Sequence, residues 1–314
     1  MSLKEIEIEE FAENILQSRR IKNKIVFLCE GDIQTVKNVG LNPSMYGRLE
    51  EKPDADFYKQ CLPQQIRRYN TPRFYPCGSR DDVINIFFKA KQLHGDNPDN
   101  SYLDPDKLFA IVDLDIQHKQ IDNYPFSCTE AIFTDLYESL QINLHKLDNH
   151  IIFTTGLIHK EAYFLLPELQ ETVFDTYKNA LIYKEQPLKL KEIYEDIINE
   201  FETDKDLSEN FESACQRLCS SKLKLDCLED LKVSFLNELR KSIEFELIAN
   251  LFLVRKAKPY WKKITSTSSI KDTSLREQLY LEIATYYSNK NDHNFHLTAI
   301  FKSIYNRVYE LNSG

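Results

Sequence analysis

The sequence is poor in the residues that build turn-rich or heavily cross-linked folds. Of its 314 residues only 7 are glycine and 11 proline, which excludes collagen-like, low-complexity and turn-rich all-β architectures. No apolar run approaches the roughly 20 residues that cross a bilayer. The acidic N-terminus also lacks the basic-then-apolar layout of a secretory signal, so the expected compartment is the cytoplasm, with no membrane partner. Basic residues are not in excess: 40 Lys and Arg against 49 Asp and Glu leave a net charge of −9, which excludes a general nucleic-acid coat but leaves local patches open. No CxxC pair occurs among Cys29, Cys61, Cys77, Cys128, Cys215, Cys219 and Cys227. The last three share a helical spacing with no histidine nearby, so the thiols are expected to be reduced and packed as small apolar residues rather than bound to zinc. P-loop, GxGxxG, HExxH and GxSxG motifs are all absent, and those chemistries lose support.

What is present is enough for a sizeable core: 42% hydrophobic and 12% aromatic residues. Residues 3–19 read as an amphipathic helix. Residues 25–29 (IVFLC) read as a short buried strand ending in Glu30-Gly31-Asp32. No period is visible over about 32–53, an inserted loop. A helix is expected over 56–62, stopped by Pro63, and a weak strand at 73–76. Ser79-Arg80-Asp81-Asp82 resembles a capping box opening a helix to about residue 93. The strongest strand signal is 108–112 (LFAIV), followed by Asp113-Leu114-Asp115. Ser127 to Glu130 predicts a second capping box and a helix to about 144, before a strand at 151–155 and Gly156. Strands alternating with helices predict an α/β domain over 1–167, with a mostly parallel sheet and flanking helices. After Pro167 strand signals stop. Helical periods at 168–183, 187–202, 206–220, 226–257, 273–288 and 293–311 predict an all-helical C-terminal domain over 168–314.

Ligands of open parallel sheets gather beyond the carboxyl ends of the strands. Glu30 follows the first strand, Asp113 and Asp115 the central one, and Glu161 lies seven residues beyond the 151–155 strand. Alternate residues of an extended segment point the same way, so Asp113 and Asp115 can both face one cation or straddle two. Carboxylates are the ligands Mg²⁺ takes, with water and phosphate completing its shell. The bland alternative is an aspartate pair that ends a strand and caps a turn.

Strand–Glu-Gly followed later by strand–Asp-x-Asp resembles the Toprim domain of topoisomerases, primases and overcoming-lysogenization-defect nucleases. The matching segments are IVFLCEGD (25–32) and LFAIVDLDI (108–116). DADFY (54–58), PCGSRDDV (76–83) and TTGLIHKEAYFLL (154–166) extend the likeness to Toprim-like domains of bacterial defence-type proteins, over roughly residues 22–167. The resemblance implies an enzyme acting on nucleic acid, DNA rather than RNA, most plausibly a Mg²⁺- or Mn²⁺-dependent nuclease. It implies Glu30 as general acid/base or metal ligand, Asp113 and Asp115 as Mg²⁺ ligands, and Glu161 at a second metal position. One departure is that about 22 residues separate Glu-Gly from the Asp-x-x-Phe-Tyr segment, which in the family directly follows it.

Other classes fit parts of the pattern. Haloacid dehalogenase-like phosphohydrolases also end an apolar strand in DxD, with a later strand ending in Thr and a phosphate-binding lysine such as Lys160. Some glycosyltransferases hold a nucleotide sugar through DxD. A non-catalytic adaptor with a degenerate sheet domain is the third alternative, its long C-terminal helices serving a protein partner or a homo-oligomer. Between Leu247 and Lys271 no acidic residue occurs. Arg255, Lys256, Lys258, Lys262, Lys263 and Lys271, with Tyr260 and Trp261 between them, are the expected nucleic-acid grip, cations for phosphates and rings for bases. His159 and Lys160 are expected in solvent or capping a helix, and His293 and His296 at the surface.

Overall fold

The computed structural model describes residues 3–33, 53–117, 120–218, 222–267, 272–290 and 294–309. Most of the inserted loop, Cys219, Lys271 and His293 lie outside them. The chain is α/β. Strands β1 (Val26–Cys29), β2 (Arg73–Pro76), β3 (Leu108–Val112), β4 (Tyr137–Glu138), β5 (Gln141–Ile142), β6 (Ile152–Thr154), β7 (Leu181–Tyr183), β8 (Gln186–Pro187) and β9 (Thr265–Ser266) are set among helices. The main sheet is parallel, in the order β2-β1-β3-β6, with Val26 opposite Arg73 on one side and Leu108 on the other.

Strand side chains alternate between two cores, as the pleat requires. Val26, Leu28, Tyr75, Ala110 and Val112 pack on the Glu5–Leu16 and Arg80–Asp96 helices through Phe11, Ile15, Val83, Ile86 and Phe87. Phe27, Phe74, Phe109, Ile111 and Phe153 face the other way, onto Phe57 and Tyr58 of the Pro53–Gln60 helix and Phe301 of the Leu297–Tyr309 helix. Phe27 lies 5.1 Å from both Phe74 and Phe301, ring centroid to centroid. The final helix therefore covers one face of the N-terminal sheet. One hydrophobic cluster runs from Ile25 to Val308, through the expected domain boundary at 167.

The Pro53–Gln60 helix, between β1 and β2, lies on one face and the Arg80–Asp96 helix, between β2 and β3, on the other. Strand order reverses between β1 and β3, which leaves a crevice beyond their carboxyl ends.

Three sequence expectations need correction. The C-terminal region is mostly, not wholly, helical, because β7, β8 and β9 form a small antiparallel sheet. The helix expected to reach 144 stops at Leu136, where β4 and β5 form a hairpin. In both hairpins the two central residues are left-handed: Ser139 and Leu140 (φ 47° and 66°), and Lys184 and Glu185 (φ 49° and 64°). Such turns are usually marked by Asn-Gly or Asp-Gly, and neither sequence carries the mark. The helix expected over 226–257 is two, Leu228–Lys241 and Phe245–Val254, broken where Ser242 Oγ donates to Glu244 Oε1 (2.8 Å). The first is amphipathic; the second is buried on every side from Leu247 to Val254 and must run through the core.

Candidate functional site

Glu30 and Asp113 leave the carboxyl ends of adjacent strands and meet across the crevice. Glu30 Oε1 accepts the Asp113 backbone N–H at 2.8 Å. Gly31 follows because the chain is crowded there: a Cβ on Gly31 would stand 2.7 Å from Asp54 Oδ2, which accepts the Asp32 N–H. Gly31 and Gly78 exchange backbone hydrogen bonds of 3.1 and 3.0 Å, and Gly78 has φ +97°, left-handed backbone that glycine adopts without strain. On the other side, Thr155 after β6 accepts the Leu114 N–H through Oγ1 (3.0 Å), fixing the strand end that carries Asp113.

Lys160 closes the crevice. It is only 6% exposed, contrary to the expectation of solvent or a cap. Its ammonium is paired with Asp54, donates to the Glu30 carbonyl (3.3 Å) and lies 5.6 Å from the Tyr58 ring centroid. Its backbone N–H donates to Asp113 Oδ1 (3.3 Å). Burial disfavours the charged amine, but Asp54, Tyr58, Glu161 and Asp113 around it outweigh this and push its pKa above the usual lysine value. His159, also buried, accepts the Ala257 N–H at Nε2 (3.1 Å), which leaves Nδ1 as the protonated nitrogen facing Glu161 Oε2 (3.1 Å).

The four expected acids divide into two pairs. Burial, above all, raises Glu30 to about 7, with Asp115 adding to it against the Asp113 N–H, Arg80 and Lys160. Burial and then the negative charges of Glu30 and Glu161 raise Asp113 as well. Among the described residues, neither Glu30 Oε2 nor Asp113 Oδ2 has a protein partner. Asp115 and Glu161 are instead engaged by bases. Asp115, left-handed at φ 47°, accepts its neighbour's N–H and faces Lys256 Nζ at 3.5 Å. Glu161 takes His159 on one oxygen and Lys258 on the other (3.3 Å). Burial opposes its ionisation, but the His159 hydrogen bond and the charges of His159, Lys160 and Lys258 hold its pKa far below the usual range.

An open cavity of about 730 Å³ is lined by Glu30, Asp54, Asp113, Lys160, Glu161, Lys258, Lys262 and Arg276, among others. Asp115 lines a neighbouring cavity of about 450 Å³ with Asp113, Glu161, Lys256, Lys258 and Lys262. Asp113 and Glu161 line both cavities, Glu30 only the first and Asp115 only the second. Among the described residues no three His, Cys, Asp or Glu side chains form a metal-ligating group. The donor set nonetheless suits a hard divalent cation, since Mg²⁺ is usually held by one or two carboxylates, with waters and substrate phosphates completing its shell.

The expected grip is only partly at the surface. Tyr260 and Trp261 are each 1% exposed. Trp261 stacks on Tyr280 (5.6 Å), and Tyr260 donates to Glu200 Oε2 (2.5 Å). Neither ring can receive a base. Arg255 is buried against Asp204, and Lys256 is tied to Asp206 (2.7 Å). Lys258, Lys262 and Lys263 remain exposed, the first two facing the crevice. His296 is buried beneath Tyr287 (4.0 Å) rather than at the surface. Cys29, Cys61 and Cys77 are buried, whereas Cys227 is exposed and caps a helix, contrary to the packed-thiol expectation. Asp54 and Arg276 were not singled out from sequence, though Asp54 opens the DADFY segment; Arg80, read from sequence only as part of a capping box, is buried and its charge acts on Glu30.

Among the described residues no helix is long and apolar enough to cross a membrane. Comparison of the chain with protein-family models, with curated proteins and with solved structures finds no match.

Proposed function

We propose that the crevice performs divalent-metal-dependent phosphodiester hydrolysis on nucleic acid, in a Toprim-like domain. The observation that carries this is the meeting of Glu30 and Asp113 across the point of strand-order reversal, both pKa values raised and one oxygen of each unpartnered among the described residues.

Glu30 and Asp113 would hold the cation, Mg²⁺ or Mn²⁺, with water and a substrate phosphate oxygen. When bound, it supplies charge neutralisation at the scissile phosphate and a more acidic attacking water. The chain's own residues do the rest. Lys258, Lys262 and Arg276 offer positive charge to the flanking phosphates on the open side. Lys160 braces Glu30 from behind through its carbonyl and sets Asp113 through its own N–H. Burial raises the Glu30 pKa to about 7 in the metal-free protein, so binding of the cation there would release a proton near neutral pH. In this arrangement Asp115 and Glu161 place Lys256 and Lys258 along the cavity walls.

One observation favours a second reading, a non-catalytic domain that binds phosphates: basic side chains already neutralise Asp115 and Glu161. Incubating single- and double-stranded DNA and RNA with the protein in Mg²⁺, Mn²⁺ or chelator separates the two. Cleavage that requires metal and is lost in Glu30→Gln and Asp113→Asn supports the proposal. Binding without cleavage supports the second reading. Turnover of a phosphomonoester but no polymer would assign Asp113 to the phosphohydrolase class.

A further inference from the structure

We propose that the end of the sheet opposite the crevice is a nucleic-acid backbone-binding surface, formed by Arg19, Arg20, Lys22, Arg68 and Tyr69. It is separate from the crevice and does not depend on catalysis there.

In a chain of net charge −9, residues 14–29 and 57–80 are among the stretches that carry no acid. The fold brings them together. As β2 enters beside β1, the Arg73 N–H donates to the Ile25 carbonyl (2.8 Å) and Arg73 Nε to the Arg20 carbonyl (3.3 Å). Lys24 Nζ donates to Asn70 Oδ1 (2.5 Å). Both segments therefore lie at the amino ends of β1 and β2. Arg19, Arg20, Lys22 and Arg68 are exposed there, with Lys24, Arg67 and Arg73 half-buried beside them. Arg19 Nε donates to a neutral partner, the Tyr102 hydroxyl (3.2 Å). Among the described residues Lys22 and Arg68 have no ion-pair partner. Asp104, on the loop leading to β3, is matched by Lys107 (2.7 Å).

Two features favour nucleic acid over an acidic protein. The surface is mainly arginine, whose planar fork matches phosphate oxygens. Tyr69 is 83% exposed at the end of the Gln64–Tyr69 helix, next to Arg68. A tyrosine so exposed contributes little to packing, but it is a platform on which a base can stack between cations. β2 is the sheet edge, and its four residues separate this surface from the crevice by about 13 Å. That is about four 3.4 Å steps along one strand of a duplex, so a single bound chain can touch both ends.

The test is anisotropy of a labelled single strand of about 30 nucleotides with the whole protein, in chelator, over a salt series. The triple variant Arg19→Glu, Arg20→Glu, Arg68→Glu should bind at least about tenfold more weakly. Its slope of log affinity against log salt should fall by about 2, near 0.7 per lost contact. Melting should fall only slightly, since all three side chains are exposed and the Arg19–Tyr102 hydrogen bond is a surface one; the triple glutamine variant serves if the glutamates do not fold. Tyr69→Ala should bind about tenfold more weakly with the slope intact. An unchanged slope in the triple variant would overturn the proposal. So would polyglutamate binding as tightly as nucleic acid and lost in the same variant, which assigns the surface to acidic proteins. Because no turnover is read, failure here leaves the crevice reading standing, and the reverse.

Discussion

Replacing Glu30 by glutamine should change how stability depends on pH, in a direction and window that the structure sets. Burial raises the Glu30 pKa from 4.5 to about 7. An acid whose folded pKa lies above its unfolded value binds more protons folded than unfolded, so its contribution is most favourable below pH 4.5 and is lost as pH rises through 7. With those two values and 1.36 kcal/mol per pKa unit, the loss between pH 5 and 8 is about 2.5 kcal/mol, an upper figure because Glu30 is partly open to solvent. His150 acts the other way: burial lowers its pKa, so its contribution grows as pH rises through the same region. The difference between wild type and Glu30→Gln removes that term. Urea unfolding in chelator at half-unit steps from pH 5 to 8 should show wild type losing ground steadily against the variant, which ends the more stable of the two at pH 8. A difference flat across this range would refute the buried, repelled carboxylate.

Lys160→Met should destabilise, by less than the about 3–5 kcal/mol of a fully buried pair because Asp54 is only half-buried, and Asp54→Asn in the same chain should recover much of this in denaturant melts. Trp261→Phe should leave nucleic-acid affinity and its salt slope unchanged, whereas a stacking ring would lose about 1–3 kcal/mol per base; anisotropy distinguishes the two, and a weakened complex would restore Trp261 to the surface role.

The parallel sheet and its strand-end acids were legible because buried strands announce themselves. VFLC and LFAIV are short and apolar, and each ends in a carboxylate. The helix over Arg80–Asp96 was legible through its cap, with Ser79 Oγ and Asp82 reciprocally bonded as the motif requires. The small hairpins were not, since their left-handed turns use Ser-Leu and Lys-Glu. Nor was the fate of the basic run. The charge pattern over 255–263 gives no sign that Asp204 and Asp206, some fifty residues earlier, claim Arg255 and Lys256, or that Trp261 fills the core beside Phe164 and Tyr280. Lys160 was misjudged for the same reason: its partners Asp54 and Glu30 lie more than 100 residues away in sequence. Local patterns report which face is buried, and long-range pairing decides which charges remain free.

The most direct test of the proposed metal chemistry is a crystal soaked in Mn²⁺ and measured for anomalous scattering. A peak within coordination distance of carboxylate oxygens from both Glu30 and Asp113, absent from Asp113→Asn crystals, is expected. No peak in the crevice, with Lys160 still on Asp54 and Lys258 still on Glu161, would contradict the metal-dependent mechanism and leave a phosphate-binding domain in its place.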